Sequence, residues 1–250
     1  VIELTEQAPS GASRIGARLL KRGLAIAPAE VTVAKRGFLV RRPEVGARLE
    51  AIGTAFLTGY HAALDDQEPA ALARRLNAVD LERRGFAYEG AGMGLTLLSR
   101  LMPWRRGLLE AFLAGPGAPY VYLIHVGVGW ALAPLPLRVD AAMARLDPLL
   151  GWLAIDGIGF YHGYFRGARA IDRHARPWWL RGYAPHVFDQ GLGRSLWFVR
   201  GADVQAVRAT IDTFPASRHD DLWSGVGLAC AYAGGATGAD LAALAAAARR

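Results

Sequence analysis

A Gly-x-Gly phrase, set inside apolar stretches with helical spacing, constrains this chain more than any other feature. It occurs at Gly90/Gly92, Gly127/Gly129, Gly157/Gly159, Gly191/Gly193 and Gly225/Gly227. Successive copies lie 37, 30, 34 and 34 residues apart, and a weaker copy, Ile52-Gly53-Thr54-Ala55-Phe56, lies 37 residues before the first. Self-similarity at such a period is the mark of a repeat architecture. A glycine inside a helix costs about 1 kcal/mol relative to alanine, so five pairs cost roughly 10 kcal/mol. Something must offset that. Lacking Cβ, glycine lets another backbone approach closely. The architectural reading is therefore tight packing of the long helices in a stack or ring. The functional reading is that the glycine faces line a central cavity for an apolar ligand. Both can hold.

Apolar spacing is helical throughout, and no stretch alternates like a strand. Each unit reads as a short helix, a turn and a longer helix carrying the glycines. The expected pairs are Pro69–Val79 with Asp80–Leu101, Arg105–Leu113 with Ala118–Ala133, and Val139–Leu146 with Pro148–Phe165. An irregular unit follows, in which Ala168–Arg176 leads to Tyr183–Val199, and then Ala202–Phe214 pairs with Ser217–Ala233. Before them, Pro43–Leu64 predicts a strong helix and Ala12–Leu24 a short basic amphipathic stretch. After them, a helix is expected to start near Gly238. The predicted fold is all-α, with tandem helical hairpins of about 34 residues in an α-solenoid or α/α-toroid-like arrangement. Residues 1–250 read as one domain, with 1–27 a loosely attached lead-in. Val1 and the alanine run at 245–248 predict that both ends are cut.

Composition narrows the partners. The net charge is +7, and 27 of the 29 basic residues are arginine. Basic doublets such as Arg41-Arg42, Arg74-Arg75 and Arg105-Arg106 are spread along the chain without interleaved stacking aromatics, so nucleic acid is not the expected partner. An acidic or phosphorylated carrier domain suits the charge better. The single cysteine, Cys230, excludes an intramolecular disulfide and a cysteine-based zinc site, and fits a reducing, cytoplasmic compartment. Residues 111–137 carry no formal charge, but Gly115-Pro116-Gly117 breaks the run. The remainder is shorter than the roughly 20 residues a spanning helix needs. It predicts a buried core helix, and membrane association is not expected.

Candidate chemistry gathers around the glycines. Glu89, His125, Asp156, Asp189, Gln190 and Asp220-Asp221 precede the phrases. If the phrases sit at equivalent levels, these side chains meet near one rim, where carboxylates and a histidine could exchange protons. Helix capping and inter-repeat bonding are the alternative, and they are preferred for Asp220-Asp221 in a first turn. Arg194 directly follows Gly193 and needs a buried partner, for which Asp189 or Gln190 is the nearest choice in sequence. An anionic substrate is the sharper alternative. Glu89, Asp156, Asp189, Arg194 and His162 are the catalytic candidates. Tyr161, Tyr164, Trp197 and Trp223, with His125 and Gln190, are candidates for an aromatic-lined binding pocket. No histidine pair has helical metal spacing, so no metal site is expected. Nothing names a cofactor. The dinucleotide fingerprint, the Walker loop, the Gly-x-Ser-x-Gly elbow and His-Glu-x-x-His are all missing.

Three long phrases carry a resemblance: residues 84–93 (RGFAYEGAGM), 188–198 (FDQGLGRSLWF) and 221–235 (DLWSGVGLACAYAGG). With Asp147-Pro148-Leu149-Leu150, they make the chain similar, from about Ala25 to Gly235, to UnbL-like accessory proteins. These bacterial proteins are encoded beside the iterative polyketide synthases that build enediyne antibiotics, and they have no assigned reaction. Members of that family continue past this C-terminus. The resemblance implies a place in converting a linear polyene into an enediyne core, and it implies no catalytic residue. The expected function is therefore binding or modifying a linear, apolar, conjugated polyene. The alternatives are a non-catalytic scaffold docking the polyketide synthase or its carrier domain, and an α/α-toroid cyclase acting on an isoprenoid-like chain.

Overall fold

The structure, a computed structural model, describes residues 23–134 and 139–248, and every regular element among them is helical. The all-α expectation holds. The lead-in up to residue 22 lies outside the described residues, and so does most of the predicted amphipathic stretch. Six long helices carry the glycines: α2 (Pro43–Asp65), α4 (Leu81–Leu101), α6 (Val121–Leu132), α8 (Trp152–Phe165), α10 (Ala184–Val199) and α12 (His219–Ala233). Shorter helices lie between and around them: α1 (Val33–Arg36), α3 (Pro69–Asn77), α5 (Leu108–Leu113), α7 (Val139–Met143), α9 (Gly167–Ala170), α11 (Val204–Ile211) and α13 (Gly238–Ala247). The irregular fourth unit is visible as the short α9 followed by turns up to α10.

Local signals set the ends. Pro43 opens α2, the Asp203 carboxylate caps α11 through the Ala206 N–H, and Thr237 with Asp240 forms a capping box on α13. Gly37 closes α1 at φ 65° and Gly234 closes α12 at φ 67°, backbone conformations that side-chain-bearing residues rarely adopt.

Each long helix packs on the next in chain order. The glycines make this possible, and their division of labour is regular. The first glycine of a phrase meets the helix before it, and the second meets the helix after it. A Cβ on Gly157 would fall on the Val126 carbonyl oxygen of α6, and one on Gly159 on the Phe188 carbonyl oxygen of α10. Gly90 and Gly92, Gly127 and Gly129, and Gly191 and Gly193 repeat the arrangement. With an oxygen where Cβ would stand, Cα–H···O contacts of about 0.5–1 kcal/mol each become available. That is the magnitude of the helix-propensity cost they offset. Contacts advance together along neighbouring helices, from Gly90 on Phe56 to Gly94 on Ala63, and from Gly159 on Phe188 to Gly163 on Ser195. These pairs therefore run parallel, and the short helices carry the chain back.

The copy in α2 differs from the sequence reading. The glycine of α2 that meets a neighbouring backbone is Gly59, which lies against Ala87 of α4. Gly53 instead accommodates the Val31 side chain. The reason is register: Phe56 supplies the carbonyl that Gly90 meets, and the second glycine always stands three residues after that carbonyl. Leu57 occupies the place of the first glycine, because among the described residues no long helix precedes α2. At the other end, a Cβ on Gly227 would meet nothing. The first and last long helices still touch, through side chains. Arg48 of α2 donates to the Ala233 carbonyl of α12 at 2.5 Å, and just outside the two helices Arg42 donates to the Gly235 carbonyl at 2.7 Å. Phe86 of α4 also packs on Tyr232 of α12, at 5.6 Å.

One further segment, residues 26–40, crosses the assembly. Val31 lies on Gly53 of α2, Arg36 sits 4.8 Å over the Phe165 ring, Phe38 packs edge-on against Tyr164 at 4.8 Å, and Leu39 donates to the Val199 carbonyl at 3.0 Å.

Candidate functional site

The locked register decides which side chains point inward. The residue immediately after the second glycine lines one central cavity in four consecutive helices: Met93, Trp130, Phe160 and Arg194. Five residues after a second glycine, on the same face, Pro134, Tyr164, Phe198 and Tyr232 line it as well. Phe56 and Leu57 of α2, and Val31 and Glu30 of the crossing segment, also line it. The cavity holds about 220 Å³. Nine of its twenty lining residues are aromatic: Trp130 packs between Phe56 at 4.6 Å and Phe160 at 5.2 Å, and Phe160 meets Phe198 at 5.3 Å.

Its polar part is compact. Arg194 pairs through Nη1 with Oδ1 of Asp156, and both side chains are at most 5% exposed. Arg194 Nε and Nη2 donate to the Tyr232 hydroxyl at 3.2 and 3.1 Å, and the guanidinium lies 5.1 Å over the rings of both Phe160 and Tyr232. Trp130 donates its indole N–H to Glu89 Oε1 at 3.0 Å. Asp156 Oδ2 has no hydrogen-bond partner among the described residues, although Gln190 stands beside that carboxylate.

Electrostatics separate the two carboxyls. Burial raises the Glu89 pKa to about 7, Asp156 adds to the rise, and Arg194 and the Trp130 bond oppose it. Burial also pushes Asp156 up, against the pull of Arg194 in direct contact. Burial works against the charge on Arg194, but Asp156, Tyr232 and Glu89 together hold its pKa above the ordinary value. Near neutral pH the cluster is thus an arginine–aspartate ion pair with a carboxyl beside it that can carry a proton.

From residue 16 to residue 250 the sequence matches the family described as protein of unknown function (DUF1702). The chain belongs to that family. No curated protein and no solved structure matches it.

In this DUF1702 member the sequence candidates sort by register. Glu89 and Asp156 stand one residue before the first glycine and turn inward, where Arg194 joins them. Gln190, at the same register, reaches Asp156. Tyr161 and Tyr164 line the cavity. His125, Asp189 and Trp223 stand two residues before the first glycine, and none of them lines it. His125 Nδ1 lies 2.7 Å from the Val121 carbonyl oxygen. Asp189 binds Arg218 at 2.6 and 2.7 Å and also pairs with Arg176. It is therefore not the partner of Arg194: five residues apart on one helix, the two side chains leave different faces. His162 packs against Phe188, and burial lowers its pKa to about 4. Trp197 donates to the Gly234 carbonyl at 2.9 Å, away from the cavity. Asp221 bonds His186 at 2.7 Å near the start of α12.

Trp130 and Tyr232 were not among the sequence candidates. The signal was present. Both occupy registers, counted from the glycines, at which neighbouring units place Phe160 and Tyr164.

Proposed function

We propose that the chain binds a linear, apolar, conjugated molecule in the central cavity and, where it modifies it, does so through proton transfer by Glu89. The carrying observation is the meeting of an aromatic-walled cavity with a proton-bearing Glu89 and the Arg194–Asp156–Tyr232 cluster. Flat aromatic walls suit a conjugated chain. The resemblance to UnbL-like proteins supplies the context, a polyene of enediyne-type polyketide maturation.

The alternatives have less support. A carboxyl whose pKa is raised is a weaker acid, poorly suited to protonating an unactivated alkene as a cyclase must. The docking scaffold asked for an open groove lined by arginine doublets. Several of these arginines are instead spent locally, as in Arg75–Asp65 at 3.1 Å and Arg36–Glu30 at 2.9 Å.

The test is an absorbance spectrum of the synthase's polyene product with and without purified protein. A changed chromophore that is lost in Glu89→Ala supports modification in this cavity. An unchanged chromophore with saturable tryptophan quenching reduces the function to binding or delivery. Neither effect, with pathway partners present, overturns the proposal.

A further inference from the structure

The hydrogen-bonding capacity left over at the polar end of the cavity specifies one end of the ligand. A tyrosine hydroxyl has two acceptor lone pairs and one proton to donate. Arg194 fills both lone pairs of Tyr232 through Nε and Nη2. Among the described residues nothing accepts the Tyr232 proton. Glu89 is similar: Oε1 receives the Trp130 N–H, and Oε2 has no described partner. Both side chains line the same cavity, and Glu89 is near enough to raise the Tyr232 pKa. Two O–H groups are therefore held around one space with their acceptors missing.

Charge selects among the groups that could accept from them. The positive charge of Arg194 is already matched by Asp156 in direct contact, with both groups nearly sealed from water. A ligand carboxylate would add an uncompensated negative charge beside Asp156 and Glu89, and burying such a charge is costly. An ammonium group would face Arg194. A carbonyl oxygen has two lone pairs and no charge, matching two donors in number and the cluster in neutrality.

We infer that the cavity takes a conjugated chain ending in an uncharged carbonyl, whose oxygen is received by the Tyr232 hydroxyl and the protonated Glu89 carboxyl. This rests on the polyene-binding reading and gives its ligand class a head group. The rings of Phe56, Trp130, Phe160 and Phe198 among the remaining lining residues offer apolar faces to the unsaturated chain.

The experiment titrates wild-type protein, at mildly acidic pH where Glu89 keeps its proton, with three probes of equal length: all-trans decatetraenal, decatetraenoate and the decatetraene hydrocarbon. The aldehyde is expected to bind about tenfold tighter than either of the others, with a red-shifted absorption band. In Tyr232→Phe the red shift is reduced and the preference for the aldehyde falls, while hydrocarbon binding is unchanged. The wild-type ranking stands as a test even if that variant does not fold. Equal binding of all three probes, or tightest binding of decatetraenoate, overturns the carbonyl inference and leaves the cavity reading in place. No binding of any probe overturns both.

Discussion

Two buried arginine–carboxylate clusters lie on neighbouring faces of α10, and they differ in what they leave unspent. Around Asp189 every carboxylate lone pair has a use. Arg218 donates to both oxygens, Arg176 donates to both as well, and Arg218 is held in turn by the His174 carbonyl at 2.7 Å. Around Arg194 the accounts stay open. Among the described residues Asp156 Oδ2 lacks a partner and the Tyr232 proton lacks an acceptor, and Glu89, its pKa raised by burial to about 7, can carry a proton at the cavity wall. The same residue types thus serve two ends. A closed network ties the chain between α9 and α10 to the start of α12. An open one borders a cavity and is equipped to receive something. Burial does not separate the two cases, whereas unsatisfied capacity facing a space does.

The separation depends on the glycine contacts, so breaking one should have the largest effect. A Cβ on Gly191 would stand on the Asp156 carbonyl oxygen, and α8 and α10 would have to part. Gly191→Ala is expected to lose about 3 kcal/mol or more, read by chemical denaturation. Gly227→Ala is the matching control. Nothing lies within contact of a Cβ there, so a gain of up to about 1 kcal/mol is expected from helix propensity.

Next in size is the closed cluster. Asp189→Asn leaves Arg218 and Arg176 without their counter-charge in a buried site. A loss of about 3 kcal/mol is expected, with polyene affinity unchanged in protein that remains folded. Altered affinity at intact stability would merge the two clusters into one site.

The open cluster predicts a pH-dependent effect. Glu89 titrates near 4.5 when unfolded and at about 7 when folded. Between those values the native state holds the extra proton, so stability falls as pH rises through the window. Glu89→Gln keeps the bond from Trp130 and removes the titration. Its stability should match wild type below pH ~4.5 and exceed it by about 3 kcal/mol above pH ~7. Parallel curves for the two proteins would place the titration elsewhere.

Much of this was legible in the residues. The spacing of the glycine pairs gave the succession of long helices, and the cost of glycine in a helix required close backbone contact. What the spacing could not give was rotation. Asp156 and Asp189 read as equivalent acids just ahead of a glycine. One residue of difference in register, about 100° around a helix, sends the first to Arg194 at the cavity and the second to the outer connections. The same blindness paired Arg194 with Asp189 or Gln190, close in sequence, instead of Asp156 on the neighbouring helix. The misplaced copy at Gly53 has a related cause. Ile-Gly looks like the phrase, but the working glycine is defined by a carbonyl three residues earlier, and that is a property of two helices together. Trp130 and Tyr232 were recoverable by counting from each second glycine; choosing acids, histidines and other aromatic residues without that count passed over them.

The central claim is that the cavity bounded by Phe56, Trp130, Phe160 and Arg194 is where the ligand sits. The most direct test is a crystal structure of the protein grown with all-trans decatetraenal. The account predicts elongated density along the Trp130 and Phe160 rings, ending within hydrogen-bond distance of the Tyr232 hydroxyl. Density confined to the outer surface, with the cavity closed by its own side chains, would contradict it.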